Sequence, residues 1–329
     1  MGITVAVTGP TGEIGVSAVT ALEREPAVEK IVAMARRPFA PPTRGWQKTC
    51  YQQGDILDRG AVDALVAQAD VVIHLAFPIM GSRDESTHVN LQGTRNVFEA
   101  AVAARRPRRL VYTSSVAAYG YHSDNPVPLT EDVPTRGSTE HYYSEQKAAC
   151  EAALADITKD SSLGVFVLRP CIVAGPGAPA LANAVQCKRL PGPVRALAKV
   201  VKAVPGLKPV LPDPGFPLQL VHHDDVATAI ALAGTAPVPP GAYNIAGSGE
   251  VSIADVAEAL GGRSVRVPAS AASAASAAIS RLPVVPSAVE WLHVARTSVV
   301  MDTRKAHRQL GWRPTHSSAE TLAALAKAV

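Results

Sequence analysis

The chain has 329 residues, 47% of them hydrophobic, with 32 basic and 28 acidic residues and a formal net charge of +4. This length suits one large domain with a smaller companion, and the apolar content allows a sizeable core. Because the small basic excess contains no dense block, a nucleic-acid partner is not expected. Every apolar stretch of about 18 residues is interrupted by charge or proline, so no membrane span is expected either.

The cysteines and the N-terminal residues indicate the cellular compartment. Cys50, Cys150, Cys171 and Cys187 have no CxxC spacing and no accompanying histidine cluster, which argues against zinc and against a disulfide framework. Free thiols are typical of a reducing compartment. The first residues, MGITVAVTGPTGEIG, have the pattern of a strand and a turn, not of a cleavable leader. We therefore expect a cytoplasmic protein that binds no metal.

In chain order, short apolar runs alternate with helical patterns through the first half of the sequence. The predicted strands are Ile3–Thr8, 30–35, 48–52, 70–76, Arg109–Thr113 and 164–169, and the predicted helices are Glu13–Arg24, 61–69, 89–104 and 142–157. Continuous apolar strands that alternate with helices are typical of a parallel sheet covered on both faces. The sequence therefore predicts an α/β, doubly wound (Rossmann) domain.

The pattern changes after Pro170, where proline and glycine become dense and the elements shorten. We predict a dinucleotide-binding domain over residues 1–170 and a smaller substrate-binding domain over residues 171–329. A segment at about 218–246, with a helix at 226–233, is expected to return to the first domain. The Ala/Ser run at 269–278 favours a helix or a mobile lid.

The turn after the first strand has the composition of a phosphate-binding loop. Gly9, Gly12 and Gly15 are spaced as GxxGxxG between a strand and a helix. Glycine permits the tight bend, the approach of a pyrophosphate and close helix packing, and the helix N-terminus attracts anions. Because the flanking elements fit, the spacing predicts a dinucleotide site in place of a plain turn. The contacts expected here are Gly9, Thr11, Gly12, Glu13, Ile14 and Gly15.

The end of the second strand bears on the choice of cofactor. An acidic residue there would bind the adenosine ribose of NAD, but the sequence has Arg36 and Arg37. Two guanidinium groups would attract a 2′-phosphate, so we expect NADP in preference to NAD. Asp55 and Ile56 follow the third strand, where a short polar turn would meet the adenine.

Two serines and a Tyr–Lys pair are the candidates for the predicted chemistry. Ser114 and Ser115 follow the strand Arg109–Thr113, and Tyr143 and Lys147 are four residues apart on a predicted helix. Residues at i and i+4 share one helix face, so the phenol and the ammonium project together. Tyrosine, with a pKa of about 10, needs such a cation to act as an acid or base near neutral pH. These groups would gather beyond the carboxyl ends of the strands.

Taken together, these motifs resemble the extended short-chain dehydrogenase/reductases, also called NAD-dependent epimerase/dehydratases. The resemblance runs nearly end to end. Its marks are TGPTGEIG, GDILD, VIHLAF, VNLQGTRNV, TSSVAAYG, YSEQK, LRPCIVAGPG, VHHDDVA, YNIAG and DTRKAHRQLGWRP.

The resemblance implies a role for each site residue. Tyr143 would be the general acid/base, Lys147 would bind the ribose and lower the pKa of the phenol, and Ser115, with Ser114 as the alternative, would orient the substrate. Asn90 would brace the site. The other residues expected along the cofactor are Leu75, Ala76, Phe77, Thr113, Pro170 and Ile172. Relatives commonly form homodimers through two long helices, here those that hold Asn96 and Lys147.

Departures from the family pattern limit the reactions that the chain is expected to catalyse. Ser115-Val116-Ala117 replaces the Thr-Asp-Glu of sugar-nucleotide 4,6-dehydratases, which excludes that elimination. Leu218 stands where epimerases place an arginine on the diphosphate, although Arg189 and Arg195 could supply that charge instead. We therefore expect a reductase or alcohol dehydrogenase for a small, rather apolar substrate. The alternatives are a nucleotide-sugar epimerase and a non-catalytic NADP-sensing regulator.

The remaining polar clusters have ordinary structural interpretations. His222 and His223 precede Asp224 and Asp225, which are expected to cap a helix. A metal site of these residues is not expected, because adjacent side chains should point in different directions. Cys171 is interpreted as a small buried side chain, and the tryptophans Trp291 and Trp312 as core or interface residues.

Overall fold

The computed structural model describes residues 2–78, 86–185, 210–268 and 297–329. Its strands are β1 (Ile3–Thr8), β2 (Val28–Ala35), β3 (Thr49–Gln53), β4 (Val71–His74), β5 (Arg109–Thr113), β6 (Gly164–Pro170), β7 (Ile172–Ala174), β8 (Val210–Asp213), β9 (Leu220–His222), β10 (Gly241–Ile245) and β11 (Arg263–Arg266). Seven of them form one parallel sheet in the order β10–β6–β5–β4–β1–β2–β3. The predicted doubly wound α/β fold is confirmed.

The described residues form eight α-helices, five of which cover the two faces of this sheet. The eight are α1 (Glu13–Arg24), α2 (Arg59–Val66), α3 (Thr94–Ala103), α4 (Tyr142–Thr158), α5 (Ala180–Val185), α6 (His223–Thr235), α7 (Ile253–Ala259) and α8 (Ser318–Lys327). Short 3₁₀ turns lie at Pro41–Arg44 and Val116–Tyr119, and π-helical turns at His88–Gly93 and Ala306–Leu310. None of the helices in the described ranges combines the length and apolar character needed to cross a membrane.

The two cores follow from the alternation of side chains along each strand. In β1, Val5 and Val7 pack on the face that carries α1 and α6, whereas Ala6 packs on the face that carries α2, α3 and α4. Because successive side chains point to opposite faces and both faces are buried, the central strands read as continuous apolar runs. This burial directs the polar groups to the strand ends.

A third core joins the elements beyond β6. Strand β7 pairs in parallel with β9, and β8 pairs in parallel with β11. Ile172, Leu218, Val251 and Leu325 are buried together here, with α8 packed beside β9. From β9 the chain returns through α6 to β10, which pairs with β6 at the edge of the main sheet. The division into two domains at residue 170 stays a prediction.

Several predicted boundaries are wrong at element ends. The strand expected over 70–76 ends at His74, and the helix expected over 89–104 opens with the π-helical turn His88–Gly93. The helix expected over 226–233 begins at His223, so Asp224 and Asp225 lie in its first turn and do not cap it. Its cap is His222, whose ring nitrogen accepts from the Asp224 backbone N–H at 3.3 Å. The run 269–278 lies outside the described residues.

Candidate active site

The glycine turn after β1 leaves open space in front of helix α1. Gly9 has φ +74°, and a Cβ there would lie 2.7 Å from the Ala76 backbone nitrogen. A Cβ on Gly15 would lie 2.0 Å from the Gly9 carbonyl oxygen, so this glycine lets the helix pack on the turn. Gly12 caps α1, and the nearest described atom to a Cβ there is 3.6 Å away. Such a cradle at a helix N-terminus fits a pyrophosphate.

The other predicted cofactor residues beside this turn take different positions. Thr11 is exposed, whereas Glu13 and Ile14 are half-buried at the start of α1. Arg36 and Arg37 are exposed at the end of β2, and an Arg36 Nη1 lies 3.9 Å from an Asp55 carboxylate oxygen.

A buried histidine links the glycine turn to the next strand. The His74 ring nitrogens lie 2.7 Å from the Thr8 hydroxyl and 2.9 Å from the Thr94 hydroxyl, which ties β4 to β1 and α3. Burial, together with the nearby Lys147 charge, lowers the pKa of His74 to about 3, so the ring stays neutral. The sequence argument missed this residue, although it lies within the VIHLAF motif.

Tyr143 and Lys147 share the inner face of α4, as predicted. The Lys147 ammonium is 5.8 Å from the Tyr143 ring centroid and donates to the Thr113 carbonyl oxygen at 2.9 Å. Lys147 is only 3% exposed. Burial lowers the pKa of Lys147 to about 7, against the opposing effect of Cys150 and Glu151.

The two serines after β5 have different partners. Ser114 donates at 2.5 Å to Glu151, which is paired with Arg169 at 2.6 Å inside the protein. Ser115 caps the turn Val116–Tyr119 and accepts from the Ala117 backbone N–H at 3.2 Å. Accepting that bond leaves the Ser115 hydroxyl hydrogen able to donate to a substrate. The geometry therefore favours Ser115 over Ser114 in the predicted substrate-orienting role.

The remaining predicted residues lie around the same carboxyl edge of the sheet. The Asn90 side chain donates to Pro78 and Gln146, which joins the π-helical turn to α4. Within the described ranges, the buried Asn90 Oδ1 and Thr113 Oγ1 atoms have no hydrogen-bond partner. Leu75, Ala76 and Phe77 follow β4, Pro170 ends β6, Ile172 begins β7, and the buried Ile56 packs beneath Gly93.

Sequence reasoning also missed the buried network behind the serines. Arg169 donates to the Tyr119 hydroxyl at 2.9 Å, and Tyr119 donates to Asn244 at 2.7 Å. This network joins the end of β5 to α4, β6 and β10. One signal was available in the sequence. Glu151 lies four residues after Lys147 on the same helix, so helical spacing puts its carboxylate on the inner face, where a buried acid needs a basic partner.

The histidines before α6 lie closer together than expected. The rings of His222 and His223 are 4.2 Å apart, and together with Asp224 they bring possible ligand atoms within 4.8 Å. The expectation that adjacent side chains diverge is wrong. However, His223 Nε2 accepts from the Gly177 backbone N–H at 2.9 Å, which leaves the proton on Nδ1, beside Ser17 at 2.7 Å. A ring with both nitrogens so engaged has no lone pair for a metal.

Three interpretations of apolar positions can be checked. Cys171 is buried, and burial raises the pKa of its thiol well above the ordinary range. Trp312 is 1% exposed and donates to the Asp225 carbonyl oxygen, as a core residue. Leu218, at the position expected for a diphosphate-binding arginine, is a core leucine. Arg189, Arg195, Cys187 and Trp291 lie outside the described residues.

Comparison with known proteins places these features in a family. The sequence model of the NAD dependent epimerase/dehydratase family matches residues 5–246. The Sinorhizobium fredii protein y4nG is 26% identical over 97% of this chain and 76% of its own length. Cinnamoyl-CoA reductase 1 of Arabidopsis thaliana is 27% identical over 75% of this chain and 71% of its own.

Solved structures share the fold. A short-chain dehydrogenase/reductase superfamily protein from Agrobacterium tumefaciens, crystallised with bound NAD, superposes with a TM-score of 0.73 at 19% identity. The match covers 99% of this chain and 96% of that one.

The Glu151–Arg169 pair gives a test of stability. We expect Glu151→Leu to lower the free energy of unfolding by about 3–5 kcal/mol, because it leaves the buried guanidinium uncompensated. The double variant Glu151→Leu/Arg169→Met should recover most of that loss. Urea denaturation measures both. A single variant as stable as the wild type, or a double variant no better than the single one, contradicts this assignment.

The lowered pKa of Lys147 gives a second test. Between pH 7 and 10 the unfolded chain binds a proton on this lysine that the folded chain lacks, so the folded state gains stability as pH rises. Relative to Lys147→Met, the wild type should gain about 1 kcal/mol per pH unit from pH 7.5 to 9.5. Denaturation of both proteins across this range measures the difference. Parallel stability curves would show that Lys147 keeps an ordinary pKa.

Proposed function

The chain belongs to the NAD-dependent epimerase/dehydratase family, and we propose that it is an oxidoreductase acting on a ketone or secondary alcohol of a small, rather apolar substrate. One observation carries the proposal. Lys147 donates to the carbonyl oxygen of Thr113 at the end of β5, and α4, which carries Tyr143 and Lys147, packs on the turn that Ser115 caps, at the same carboxyl edge as the Gly9–Gly15 cradle. A phenol, an ammonium and a hydroxyl beside a dinucleotide site are the groups that carbonyl reduction needs.

Each side chain has a distinct task in this reaction. The Ser115 hydroxyl donates to the substrate oxygen and holds it in line with the Tyr143 hydroxyl. During reduction the Tyr143 oxygen gives its proton to that oxygen, and during oxidation it takes the proton back. The Lys147 ammonium stabilises the negative charge that develops on the phenol as its proton leaves. The bound nicotinamide supplies or accepts the hydride.

The cofactor would be held by groups that this chain places around the edge. Backbone N–H groups at the start of α1 would bind the pyrophosphate, and Lys147 would donate to a ribose hydroxyl. We propose NADP as the preferred cofactor, because Arg36 and Arg37 lie exposed at the end of β2.

The substrate class follows from the apolar third core. A diphosphate-bearing substrate needs positive partners, whereas Leu218 is buried among Ile172, Val251 and Leu325. The likeness to a cinnamoyl-CoA reductase supports reduction over epimerisation as the reaction, and the substrate class rests on the third core alone. A homodimer through α3 and α4 is part of the same proposal.

A matched pair of tyrosine variants tests the chemistry. We expect Tyr143→Phe to lower kcat for ketone reduction by about 10²-fold or more, because the proton donor is lost. Tyr142→Phe, one residue earlier on α4, should keep most activity. The rate at which NADPH absorbance falls in the presence of each of a panel of ketones gives kcat for both variants. Full turnover by Tyr143→Phe would contradict the mechanism. Conversion of a nucleotide sugar without net oxidation or reduction of the cofactor would instead support the epimerase alternative.

The cofactor preference has its own test. Arg36→Ala and Arg37→Ala should each raise the Kd for NADPH about tenfold and leave the Kd for NADH nearly unchanged, since only NADPH carries the 2′-phosphate. Arg24→Ala, an exposed arginine at the far end of α1, is the control for the change in net charge. Fluorescence titration gives the constants. An equal loss of affinity for NADPH and NADH would contradict the proposed preference for NADP.

A further inference from the structure

The ring of Phe77 lies against both predicted catalytic groups on α4. The Lys147 Nζ atom is 3.6 Å from the Phe77 ring centroid, on the ring face. The Tyr143 ring meets the same phenylalanine edge to face, with centroids 5.7 Å apart. One aromatic side chain therefore contacts the ammonium and the phenol at once.

The ring takes up a bonding position of the buried ammonium. Lysine has three N–H donors and no acceptor. Lys147 directs donors to the Thr113 carbonyl oxygen at 2.9 Å and to the Tyr112 hydroxyl at 3.5 Å, and the Phe77 face lies within contact of the same nitrogen. The negative face of an aromatic ring attracts a cation, most strongly where water is excluded. Phe77 thus compensates the remaining side of the ammonium.

A ribose hydroxyl cannot share this arrangement. A hydroxyl oxygen needs about 2.8 Å to the nitrogen and a further van der Waals distance to the ring. At 3.6 Å the nitrogen and the ring are already in contact, so no oxygen fits between them. The ring and a ribose hydroxyl therefore compete for the same side of Lys147.

We propose that Phe77 takes the side of Lys147 that a ribose hydroxyl of the cofactor requires, and that cofactor binding displaces the ring. The inference rests on the proposed function, in which Lys147 holds the ribose. Phe77 is then a residue that sets cofactor affinity.

The backbone on each side of Phe77 limits how the ring can move. The Ala76 backbone N–H donates to the Thr8 hydroxyl at 3.4 Å, and the Pro78 carbonyl oxygen accepts from the Asn90 side chain at 3.0 Å. Because both neighbours are anchored, displacement takes place by rotation of the side chain and not by movement of the strand end.

A graded set of ligands tests the competition. NADH and ADP-ribose both carry the second ribose, whereas ADP lacks it. We expect Phe77→Leu to bind NADH and ADP-ribose about tenfold more tightly than the wild type and to bind ADP equally well. Isothermal titration calorimetry measures the three constants. Unchanged or weaker NADH binding by the variant overturns the inference, since the ring would then not compete.

A second measurement uses the wild-type sequence, so it stands even if the variant does not fold. The chain has five phenylalanines, few enough for fluorine NMR on protein made with 4-fluorophenylalanine. The Phe77 resonance, assigned by its loss in Phe77→Leu or by paramagnetic broadening, should shift with NADH and ADP-ribose but not with ADP. Binding of NADH without a shift overturns the inference alone. Absence of both NADH and NADPH binding by the wild type would overturn the proposed function as well.

Discussion

The buried ammonium of Lys147 is the charge around which the site is organised. At 3% exposure it has lost nearly all contact with water, and a buried charge must find partners in the protein. The Thr113 carbonyl oxygen, the Phe77 ring and the nearby Glu151 carboxylate supply them. These partners come from the end of β5, the segment after β4 and the next turn of α4. Three elements therefore contribute partners to one charge at a common edge, where the Gly9–Gly15 cradle also opens.

The ion pair behind the serines stiffens that edge. Glu151 and Arg169 are each 8% exposed in their side chains, so their attraction acts in a low dielectric and their loss of hydration has to be offset by geometry. Ser114 supplies one of the extra hydrogen bonds and Tyr119 another. Because Ser114 is committed to this network, the adjacent Ser115 is the hydroxyl that can turn to a substrate. The network thus holds Ser114 in a structural role and leaves Ser115 as the serine proposed to contact the substrate.

The sheet and the outline of the site were predictable because they depend on local patterns. Continuous apolar strands and a glycine turn are read directly from neighbouring residues, and Tyr143 and Lys147 meet through helical spacing alone. The Thr8–His74–Thr94 link joins residues up to 86 positions apart, so it depends on the packing of β1, β4 and α3. The same holds for Glu151 and Arg169. The sequence argument assigned the cap of α6 to Asp224 and Asp225, which are common capping residues. The structure places the cap at His222, because that residue has the extended backbone that a cap requires.

The C-terminal part of the chain is connected to the candidate active site by hydrogen bonds as well as by apolar packing. Asn244, on β10, accepts from Tyr119 and donates to the carbonyl oxygens of Leu129 and Asp302. Leu129 in turn bridges to Met301 in the C-terminal part of the chain. A change in these segments therefore reaches Tyr119, Arg169 and Glu151 through bonds that have defined directions. In the proposed oxidoreductase, whose substrate would be held by apolar side chains, these directional bonds couple the position of the polar edge to the C-terminal part of the chain.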